Sequence, residues 1–503
     1  MQTLFDILRL HTKKRKNQLA VCCDKQKITY GQLYNATLFC GNKLRKMLGK
    51  KRNIGIYINK SIEYVIAYFS ISYVGGTIVP INTKMPAEKI NAFLKSYDVD
   101  VVITSDLLQK AFEDNLLLDK IKTFNLHSWE HLIDEISIVE GMVVPPVWRY
   151  DEESVAILIQ TSGTTSKGKM VMLTNKNLLS NANMIIQDLG ITNKDITLIV
   201  LPIYLSCNTS QFLSHLLAGA SVVLYDGIFD AQKVWNLVDE CSISNFHIVP
   251  PMLYLLHRSI HQVKTTLETL RFICYSGGPS NYSIVLEFQK CMQGVSLIET
   301  YGMTEAGPRI SSIFPNEKVQ HPSSVGKPMN GVDVRIMDSS GNFWHSGEGE
   351  LVVKSDSVMV GYYGEMTETS KVLRDGWLRT GDLCFLDEFG YIHLKGRVKA
   401  IINCGGNKFS PEFVESVLLQ FPGVKEAFVY PQKHSVLGEV AEAQIVVESK
   451  IKAKEFVCKL LQYCEKEMDQ YQIPKKIHIV SFINKNESGK NIRYGYGSDC
   501  NNR

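Results

Sequence analysis

One short segment concentrates side chains that bind anions. Residues 161–169 contain five hydroxyl side chains, two glycines and two lysines, and they follow the apolar run Val155–Ile159. Backbone amides at glycines can approach an anion closely, hydroxyl groups donate further hydrogen bonds, and lysines supply positive charge. Because this density of donors comes directly after a predicted buried strand, we interpret the segment as a loop that binds a polyphosphate.

Two kinds of phosphate loop share parts of this pattern. Gly163 to Lys169 has the G-x-x-x-x-G-K spacing of a Walker A loop. That loop then requires Ser or Thr to hold magnesium and leads directly into a helix. Here Met170 takes the hydroxyl position and an apolar run to Leu173 follows, so a P-loop NTPase is disfavoured.

The segment resembles more fully the signature loop of the adenylate-forming enzymes, T-S-G-T-T-G-x-P-K-G. The matching residues are Thr161, Ser162, Gly163, Thr164, Thr165 and Lys169. The resemblance implies that these residues bind the phosphates of ATP. The sequence departs from the signature at Ser166, Gly168 and Met170.

A second motif of that family lies further along the chain. Residues 299–305 contain the pattern Y-G-x-T-E, and the resemblance implies three roles. Tyr301 stacks near adenine, Thr304 bonds the α-phosphate, and Glu305 helps to hold Mg²⁺. These residue types suit the roles, because an aromatic face packs on a base and a hard carboxylate ligates a hard cation. We assign the preceding residues Glu299 and Thr300 to the same nucleotide site.

Two more segments resemble parts of the family's nucleotide pocket. The turn at residues 276–279 resembles a glycine turn that lines the nucleotide and acyl pocket, which implicates Gly277 and Gly278. Residues 377–382 match the pattern W/Y-x-x-T-G-D. By this resemblance, Asp382 accepts hydrogen bonds from both ribose hydroxyls, as one carboxylate can.

The C-terminal part resembles the mobile domain of these enzymes. Residues 396–399 begin the G-R-x-D/K hinge, which implies that Arg397 contacts the nucleotide and that Lys399 is the pivot. Residues 486–493 resemble the pattern x-x-S-G-K-I-x-R, with Lys490 as the mobile catalytic lysine. Its charge would bridge the attacking carboxylate and the α-phosphate, where preorganised positive charge contributes most to catalysis.

The elements that must position these motifs alternate between strand and helix. Strands are predicted at 53–58, 99–104, 155–159, 197–201, 221–225 and 272–275, and helices at 62–73, 177–189 and 231–241. This alternation predicts an α/β fold with mostly parallel sheets covered by helices. After about residue 320, short strands with glycine-rich turns indicate a β-rich subdomain.

We therefore expect two domains. Residues 1–396 form the N-terminal adenylation domain, with the β-rich subdomain over about 320–396. Residues 397–503 form a small, mobile α+β domain, with helices predicted at 411–419 and 454–471 and strands at 424–430, 443–447 and 476–482. The resemblance also covers two early segments that we consider structural, 28–33 and 75–81.

Composition excludes several other classes of protein. The 503 residues are 45% hydrophobic and 21% charged, which excludes a disordered chain and a coiled coil. A net charge of +4 and a pI near 8.3 are too mild for nucleic acid as the main partner. The twelve cysteines form no C-x-x-C pair, so we expect reduced thiols in a cytoplasmic protein.

One uncharged stretch, residues 64–83, approaches the length of a membrane span. Gly75, Gly76 and Pro80 interrupt it, so we predict instead a helix followed by a short buried strand. No stable membrane insertion is expected. A zinc site at His257 and His261 is also disfavoured, because the helical pair lacks the Glu of a metalloprotease.

The resemblance implies a two-step reaction that uses ATP and Mg²⁺. A carboxylic acid attacks the α-phosphorus to give acyl-AMP and pyrophosphate, and a thiol then displaces AMP. Leu205 stands where acyl-CoA synthetases often have His, and no Asp is found nearby to pair a substrate ammonium. We therefore predict a fatty or aromatic acid, whose pocket His247, Phe246 and residues 250–251 could help to line.

The identity of the thiol stays open at this point. Coenzyme A and the phosphopantetheine of an acyl or peptidyl carrier protein present the same group. A stand-alone enzyme that loads a carrier protein is the main alternative to an acid–CoA ligase. A non-catalytic ATP-binding relative is a more remote alternative, suggested by the departures in the phosphate loop.

Overall fold

The computed structural model of the chain describes residues 2–50, 52–114, 121–136, 150–161, 168–262, 267–278, 280–398, 401–447 and 453–485. The N-terminal part contains α1 (Phe5–Arg15), β1 (Leu19–Cys23), β2 (Gln26–Thr29), α2 (Tyr30–Arg45), β3 (Asn53–Tyr57), α3 (Ile62–Val74), β4 (Thr77–Pro80), α4 (Ala87–Ser96), β5 (Val101–Ser105), α5 (Asp106–Asp114), β6 (Lys122–Leu126) and α6 (Trp129–Ile136).

The central part continues the series of strands and helices. In chain order, its elements are β7 (Val155–Gln160), β8 (Met170–Thr174), α7 (Asn175–Leu189), β9 (Ile196–Ile199), α8 (Ser206–Ala218), β10 (Ser221–Leu224), α9 (Ala231–Glu240), β11 (Asn245–Ile248), α10 (Pro250–Ser259), β12 (Phe272–Tyr275), α11 (Tyr282–Cys291), β13 (Ser296–Tyr301) and β14 (Ser311–Ile313). Two short 3₁₀ helices, Ile260–Gln262 and Thr304–Ala306, complete this part.

The remaining elements form the β-rich and C-terminal parts. The first group is α12 (Pro315–Gln320), β15 (Lys327–Pro328), β16 (Val332–Met337), β17 (Phe343–Trp344), β18 (Gly347–Ser355), β19 (Gly361–Tyr362), α13 (Met366–Val372), β20 (Leu373–Arg374), β21 (Trp377–Leu386) and β22 (Ile392–Arg397). The second is β23 (Ile402–Cys404), β24 (Asn407–Phe409), α14 (Pro411–Gln420), β25 (Val424–His434), β26 (Gly438–Val447), α15 (Ala453–Glu467) and β27 (Lys476–Ile479).

Two large sheets carry the N-terminal part. One has the strand order β19-β8-β7-β4-β3-β5-β6, and the other β15-β14-β13-β12-β11-β9-β10-β1-β2. Their interior strands pair in parallel, whereas β8 and β19 in one sheet and β2, β14 and β15 in the other are antiparallel. The predicted α/β fold with mostly parallel sheets is confirmed.

Helix α3 occupies the core, and its sequence explains why. All thirteen of its residues are buried, in a hydrophobic cluster that joins both large sheets with α2, α7 and α8. Ser61 accepts a hydrogen bond from the amide of Tyr64 at the start, and Gly75 ends the helix with a φ of 80°. The predicted helix and strand at residues 62–81 are confirmed. No helix in the described ranges has the length and apolar character to cross a membrane.

The smaller parts also follow the predicted pattern. Strands β16, β17, β18, β20, β21 and β22 form an antiparallel sheet. Strands β23–β27 form a mixed sheet, in which β27 pairs in parallel with β26, and this sheet packs against α14 and α15. The helix predicted over 454–471 is shorter and ends at Glu467. The chain turns there, because Asp469 and Gln472 close a loop with two hydrogen bonds of 2.9 Å. The cysteines within the described residues are all free thiols.

Candidate active site

The predicted phosphate loop connects the two strands of a hairpin. Strands β7 and β8 pair antiparallel, with Gln160 opposite Met170. The amide of Thr161 donates to the carbonyl of Lys169 at 2.9 Å, and the Lys169 amide donates back to the Thr161 hydroxyl at 3.3 Å. Both ends of the loop are therefore fixed. A strand follows the loop, whereas a Walker A loop leads directly into a helix, so the structure disagrees with the Walker A alternative. Ser162, Gly163, Thr164 and Thr165 lie outside the described residues.

Three motif residues form a charged cluster, in which Tyr301 and Asp382 are buried and Arg397 reaches solvent. The Tyr301 hydroxyl donates to Asp382 Oδ2 at 2.6 Å, and Arg397 Nε lies 2.7 Å from Asp382 Oδ1. Asp382 is only 7% exposed. Burial and the neighbouring carboxylate raise the pKa of Tyr301 well above its usual value, so the phenol stays a donor. Burial disfavours the charged guanidinium, but Asp382 outweighs it and raises the pKa of Arg397.

This cluster depends on three separate strands. Tyr301 ends β13, Asp382 lies in β21, and Arg397 ends β22 directly opposite Asp382 in the antiparallel register. Tyr301 and Asp382 are 81 residues apart in sequence. The arrangement offers carboxylate oxygens and a guanidinium beside an aromatic ring, which are groups that can receive ribose hydroxyls and a base.

The next residues of the motif occupy a short 3₁₀ helix. The hydroxyls of Thr304 and Ser206 lie 2.9 Å apart, and Ser206 is the first residue of α8. Gly302 leaves no space for a side chain, since a Cβ there would lie 2.0 Å from the carbonyl oxygen of Pro308. Glycine at this position lets β13 turn into the 3₁₀ helix that presents Thr304 and Glu305.

Glu305 and Lys169 meet through an aromatic residue. The Tyr362 hydroxyl donates to Glu305 Oε1 at 2.9 Å, and Lys169 Nζ lies 4.6 Å from the centre of the same ring. Lys169 also forms a 2.6 Å ion pair with Glu368. Hydrogen bonds from Lys169 and Lys371 lower the pKa of Glu368 to about 2. Lys169 is thus held by a carboxylate that ATP phosphates would have to replace.

Glu299 and Thr300 have different surroundings from Glu305. Lys318 Nζ lies 2.6 Å from Glu299 Oε2, and the Tyr275 hydroxyl donates to the same oxygen at 3.2 Å. Thr300 is buried in β13 opposite Ser312. Their backbone positions therefore belong to the strand that carries Tyr301, and the Glu299 carboxylate is engaged in a buried pair.

A histidine lies beside the glycine turn. His247 Nε2 is 2.8 Å from the Ser276 hydroxyl, directly before Gly277, whose φ is 100°. Burial and then the charge of Arg309 lower the pKa of His247 to about 3, so its ring is neutral at pH 7. At Gly278, a Cβ would meet nothing within 4 Å, so the turn faces open space. This part of the site suits an uncharged portion of a ligand.

Three contacts were missed by the sequence analysis. Ser206, Tyr362 and Glu368 each touch a motif residue, but none of them belongs to a recognisable pattern. Ser206 opens a thirteen-residue helix, a signal for anion binding that could have identified it. Lys399 and Lys490 lie outside the described residues, so their predicted roles stay predictions.

The residues present also suit the metal that the motifs imply. Mg²⁺ prefers oxygen ligands and is commonly bound by one or two carboxylates together with substrate phosphates. Glu305 supplies such a carboxylate, next to the hydroxyls of Thr304 and Ser206. Lys169 lies over the ring of Tyr362, whose hydroxyl donates to Glu305, and the charge of Glu305 helps to raise the pKa of Arg397. Two cations therefore lie near the carboxylate, as binding of a polyphosphate requires.

Comparison with known proteins agrees with this geometry. Residues 8–363 match the AMP-binding enzyme family, and residues 413–490 match the AMP-binding enzyme C-terminal domain. A 2–succinylbenzoate–CoA ligase of Bacillus licheniformis is 27% identical over 97% of this chain and 98% of its own length. The structure of o-succinylbenzoate CoA synthetase from Bacillus subtilis in complex with its acyl-adenylate intermediate has 26% identity and a TM-score of 0.83, covering 97% of this chain and 96% of that one.

A second structure of the Bacillus subtilis enzyme, in complex with ATP and magnesium ion, has 25% identity and a TM-score of 0.83. It covers 98% of both chains. The match in sequence, fold and motif placement extends over both parts of the molecule. The chain belongs to the AMP-binding enzymes, the adenylate-forming family that its motifs resemble, and it is an AMP-forming acid–thiol ligase.

Proposed function

We propose that the enzyme activates an aromatic carboxylic acid as acyl-AMP and then transfers the acyl group to coenzyme A. The relatives support this choice of acid, since 2-succinylbenzoate, the substrate in their name, carries an aromatic ring. The observation that carries the proposal is the side of the site at His247, where this neutral ring lies beside Ser276 and Gly277 and the charge that acts on it is that of Arg309.

The chemistry of this side disfavours a positively charged acyl group, because the charge of Arg309 already acts on His247. The described segments 200–211, 245–254 and 272–278 contain no Asp or Glu. A substrate ammonium buried among them would lack a partner from these segments, and an unpaired buried charge is costly. The buried faces of Phe246 and Tyr275 are aromatic instead. An amino acid is therefore a poorer substrate than an aromatic acid.

In the first step, a carboxylate oxygen forms a bond to the α-phosphorus, and the bond to pyrophosphate breaks. Asp382 and Arg397 hold the nucleoside, Thr304 donates to the α-phosphate, and Lys169 neutralises charge on the phosphates. Glu305 holds Mg²⁺, which offsets phosphate charge when bound. Lys490 enters as the mobile lysine between the two reactants. These contributions are positioning and charge stabilisation.

In the second step, the thiol attacks the acyl carbon and AMP leaves. We assign residues 1–396 to a fixed domain and 397–503 to a domain that rotates about Lys399 between the steps. Described contacts would have to break in that rotation. Asn281 Nδ2 donates to the carbonyl of Leu419 and lies 3.5 Å from that of Val424, and Lys425 lies over Tyr254 at 5.5 Å.

The test is ATP–pyrophosphate exchange with matched panels of benzoates, medium-chain fatty acids and amino acids. Coenzyme A and a holo-carrier protein are then supplied as acceptors, and thioester is measured by mass. We expect exchange with an aromatic acid and a thioester on coenzyme A. Exchange that depends on an amino acid, or acyl transfer only to the carrier, would contradict the proposal.

A variant separates chemistry from binding. We expect Lys490→Ala to lower acid-dependent exchange by orders of magnitude, while ATP binding measured by calorimetry persists. The matched control is Lys485→Ala, five residues earlier, whose amine pairs with Glu426 at 2.7 Å within the small domain. Near-normal exchange in Lys490→Ala would remove this residue from the mechanism.

A further inference from the structure

Two histidines and an aspartate meet at a place that the reaction does not use. His321, Asp387 and His393 each direct one ligand atom into a common space, and these atoms lie within 4.8 Å of one another. His321 follows α12, Asp387 follows β21, and His393 is the second residue of β22. Three separate segments therefore converge, and no motif in the sequence marks them.

Neighbouring groups orient two of these side chains. The carboxylate of Asp387 accepts backbone amides of Phe389 and Tyr391 through Oδ1, at 3.0 and 2.8 Å. Its other oxygen faces His393 Nε2 at 3.4 Å. The opposite ring nitrogen of His393 lies 2.9 Å from the Ser323 hydroxyl. Support of this kind, in which the far nitrogen of a histidine is hydrogen-bonded, is usual for histidines that bind metals.

The third side chain is held by stacking. The ring of His321 lies on that of Tyr391, with centroids 3.7 Å apart and planes at 23°. The Tyr391 hydroxyl in turn donates to Glu317 Oε1 at 3.1 Å. Lys327 Nζ lies 4.5 Å from the centre of the same ring. The ring plane of His321 is therefore fixed while its edge stays available.

We propose that His321, Asp387 and His393 form a binding site for a divalent transition-metal ion of the Zn²⁺ class. Two imidazole nitrogens and one carboxylate oxygen suit Zn²⁺ or Co²⁺. Two ligands about 2.0–2.1 Å from a tetrahedral ion lie about 3.3 Å apart. The 3.4 Å between His393 and Asp387 matches that separation, and His321 needs to approach by roughly 1.5 Å to complete three ligands.

The burial of the cluster also fits this role. The side chains of His393 and Asp387 are 19% and 15% exposed, which leaves an entry path and room for water as a fourth ligand. Mg²⁺, the ion of the ATP site, prefers oxygen ligands only, so the two sites differ in the metal they select. They also differ in place, since five residues of strand, about 17 Å, separate Asp387 from Asp382.

The bound ion would join the turn of a functional hairpin to the rest of the large domain. Strands β21 and β22 carry Asp382 and Arg397 at one end, and their turn lies at the other end with Asp387 and His393. His321 belongs to the segment after α12. A metal that bridges them would restrain the hairpin and raise the thermal stability of the protein. It would not touch the reacting groups.

The experiment is a titration of tag-free protein with Co²⁺ in the presence of excess Mg²⁺, followed by visible absorption. We expect one equivalent of Co²⁺ to bind, with displacement by Zn²⁺. His321→Gln and His393→Gln should each weaken Co²⁺ binding at least tenfold. His345→Gln, a change at an exposed histidine of the same subdomain, should bind as the parent does.

A third variant guards against misfolding. Asp387→Asn keeps an oxygen that can accept the two turn amides, but it removes the charge that favours the ion, so binding should fall while the circular dichroism spectrum stays unchanged. Zn²⁺ should raise the Tm of the parent and of His345→Gln only. Unaltered Co²⁺ binding in all three site variants, or no binding by the parent up to about 1 mM, would overturn the proposal.

Discussion

The nucleoside side and the phosphate side of the active site are built differently. On the nucleoside side, Tyr301, Asp382 and Arg397 pair with one another around a carboxylate that is 7% exposed. On the phosphate side, Lys169 and Glu368 pair with each other, and their side chains are 26% and 29% exposed. We call the first the closed side, because its phenol and carboxylate are buried although Arg397 reaches solvent with 46% of its side chain exposed. We call the second the open side, because both members of its ion pair are partly exposed.

The difference indicates which part of the site is preorganised before ATP binds. Tyr301 stays a donor and Arg397 keeps its charge, because their pKa values are shifted to favour those states. They can accept the nucleoside with little rearrangement, and preorganisation of this kind reduces the cost of binding. In the function proposed above, Lys169 exchanges its Glu368 partner for phosphate oxygens, so part of the phosphate affinity would be offset by an ion pair that breaks.

The largest effect is expected from removing the buried carboxylate. Asp382→Ala leaves Arg397 without its strand partner and removes the proposed acceptor for ribose hydroxyls. Charge-assisted hydrogen bonds contribute about 1.5–3 kcal/mol each, so loss of two predicts a fall in kcat/KM for ATP of about 100-fold or more. Steady-state kinetics with varied ATP measures this. Asp382→Asn, which keeps one acceptor, should fall less.

The stability of the variant provides its control. Asp382→Ala should lower the Tm as well. Asp375→Asn, at an exposed turn of the same sheet where the φ of 52° is tolerated by Asn, should leave it unchanged. If the two variants had equal ATP kinetics, the closed side of the site would not be where the nucleoside binds, and the comparison would fail.

A smaller loss is expected on the open side. Lys169→Ala removes a cation from the phosphates, but it also frees Glu368 from an ion pair, so the two effects partly cancel. We expect kcat/KM for ATP to fall roughly 10-fold to 30-fold. Lys176→Ala, a change at an exposed lysine paired with Asp356 at 3.2 Å, is the control and should have no effect. A fall as large as that of Asp382→Ala would mean that the open side is equally preorganised.

Two buried histidines outside both sides make the stability of the fold sensitive to acid. Burial lowers the pKa of His247 to about 3 and that of His215 to about 4, below the value of about 6.5 in the unfolded chain. The unfolded chain therefore binds more protons than the folded protein between about pH 4 and 6, and the free energy of unfolding falls as the pH decreases through this window. Each histidine should contribute about 1.4 kcal/mol per pH unit to the slope of the free energy of unfolding against pH.

Denaturant unfolding at several pH values measures this slope. His247→Gln, which can keep a hydrogen bond to Ser276, should reduce the slope by about one proton, whereas the exposed control His345→Gln should not. An unchanged slope in His247→Gln would mean that the histidine is protonated in the native site. The acyl pocket would then be charged rather than neutral.

The same contrast explains what the sequence could predict. Residues in local motifs, such as Tyr301, Thr304 and Asp382, were found because their spacing along the chain is itself informative. Alternating apolar runs were sufficient for the α/β fold, since strand and helix periodicity are local properties.

The partners of the motif residues were not found, because their contacts depend on the fold. Glu368 lies 199 residues from Lys169, and Tyr362 lies 57 residues from Glu305. Tyr362 belongs to β19, a two-residue strand that pairs with β8 at the sheet edge, and Glu368 lies in the short helix α13 that follows it. So short an element has no periodicity to recognise. The contacts of the open side are therefore the ones that sequence reasoning misses.

The smallest and most direct test of the comparison is Glu368→Gln. This change keeps the size of the side chain but removes the charge that competes with phosphate for Lys169. We expect ATP to bind about two- to fivefold more tightly, because an exposed ion pair contributes less than about 1 kcal/mol. Calorimetry at about 0.05 M and about 0.5 M salt should register a smaller difference at the higher concentration, since screening weakens the competing pair.

Acid should remove the same difference by another route. The pKa of Glu368 is lowered to about 2 in the folded protein by Lys169 and Lys371, so the pair stabilises the fold above about pH 4.5 and is lost as the pH falls toward 2. The Tm difference between the parent and Glu368→Gln should therefore shrink below about pH 4.5. The loss of stability caused by His247 begins at higher pH. Weaker ATP binding by Glu368→Gln would reverse the argument, because Glu368 would then hold Lys169 in place for the phosphates and the open side would be preorganised as well.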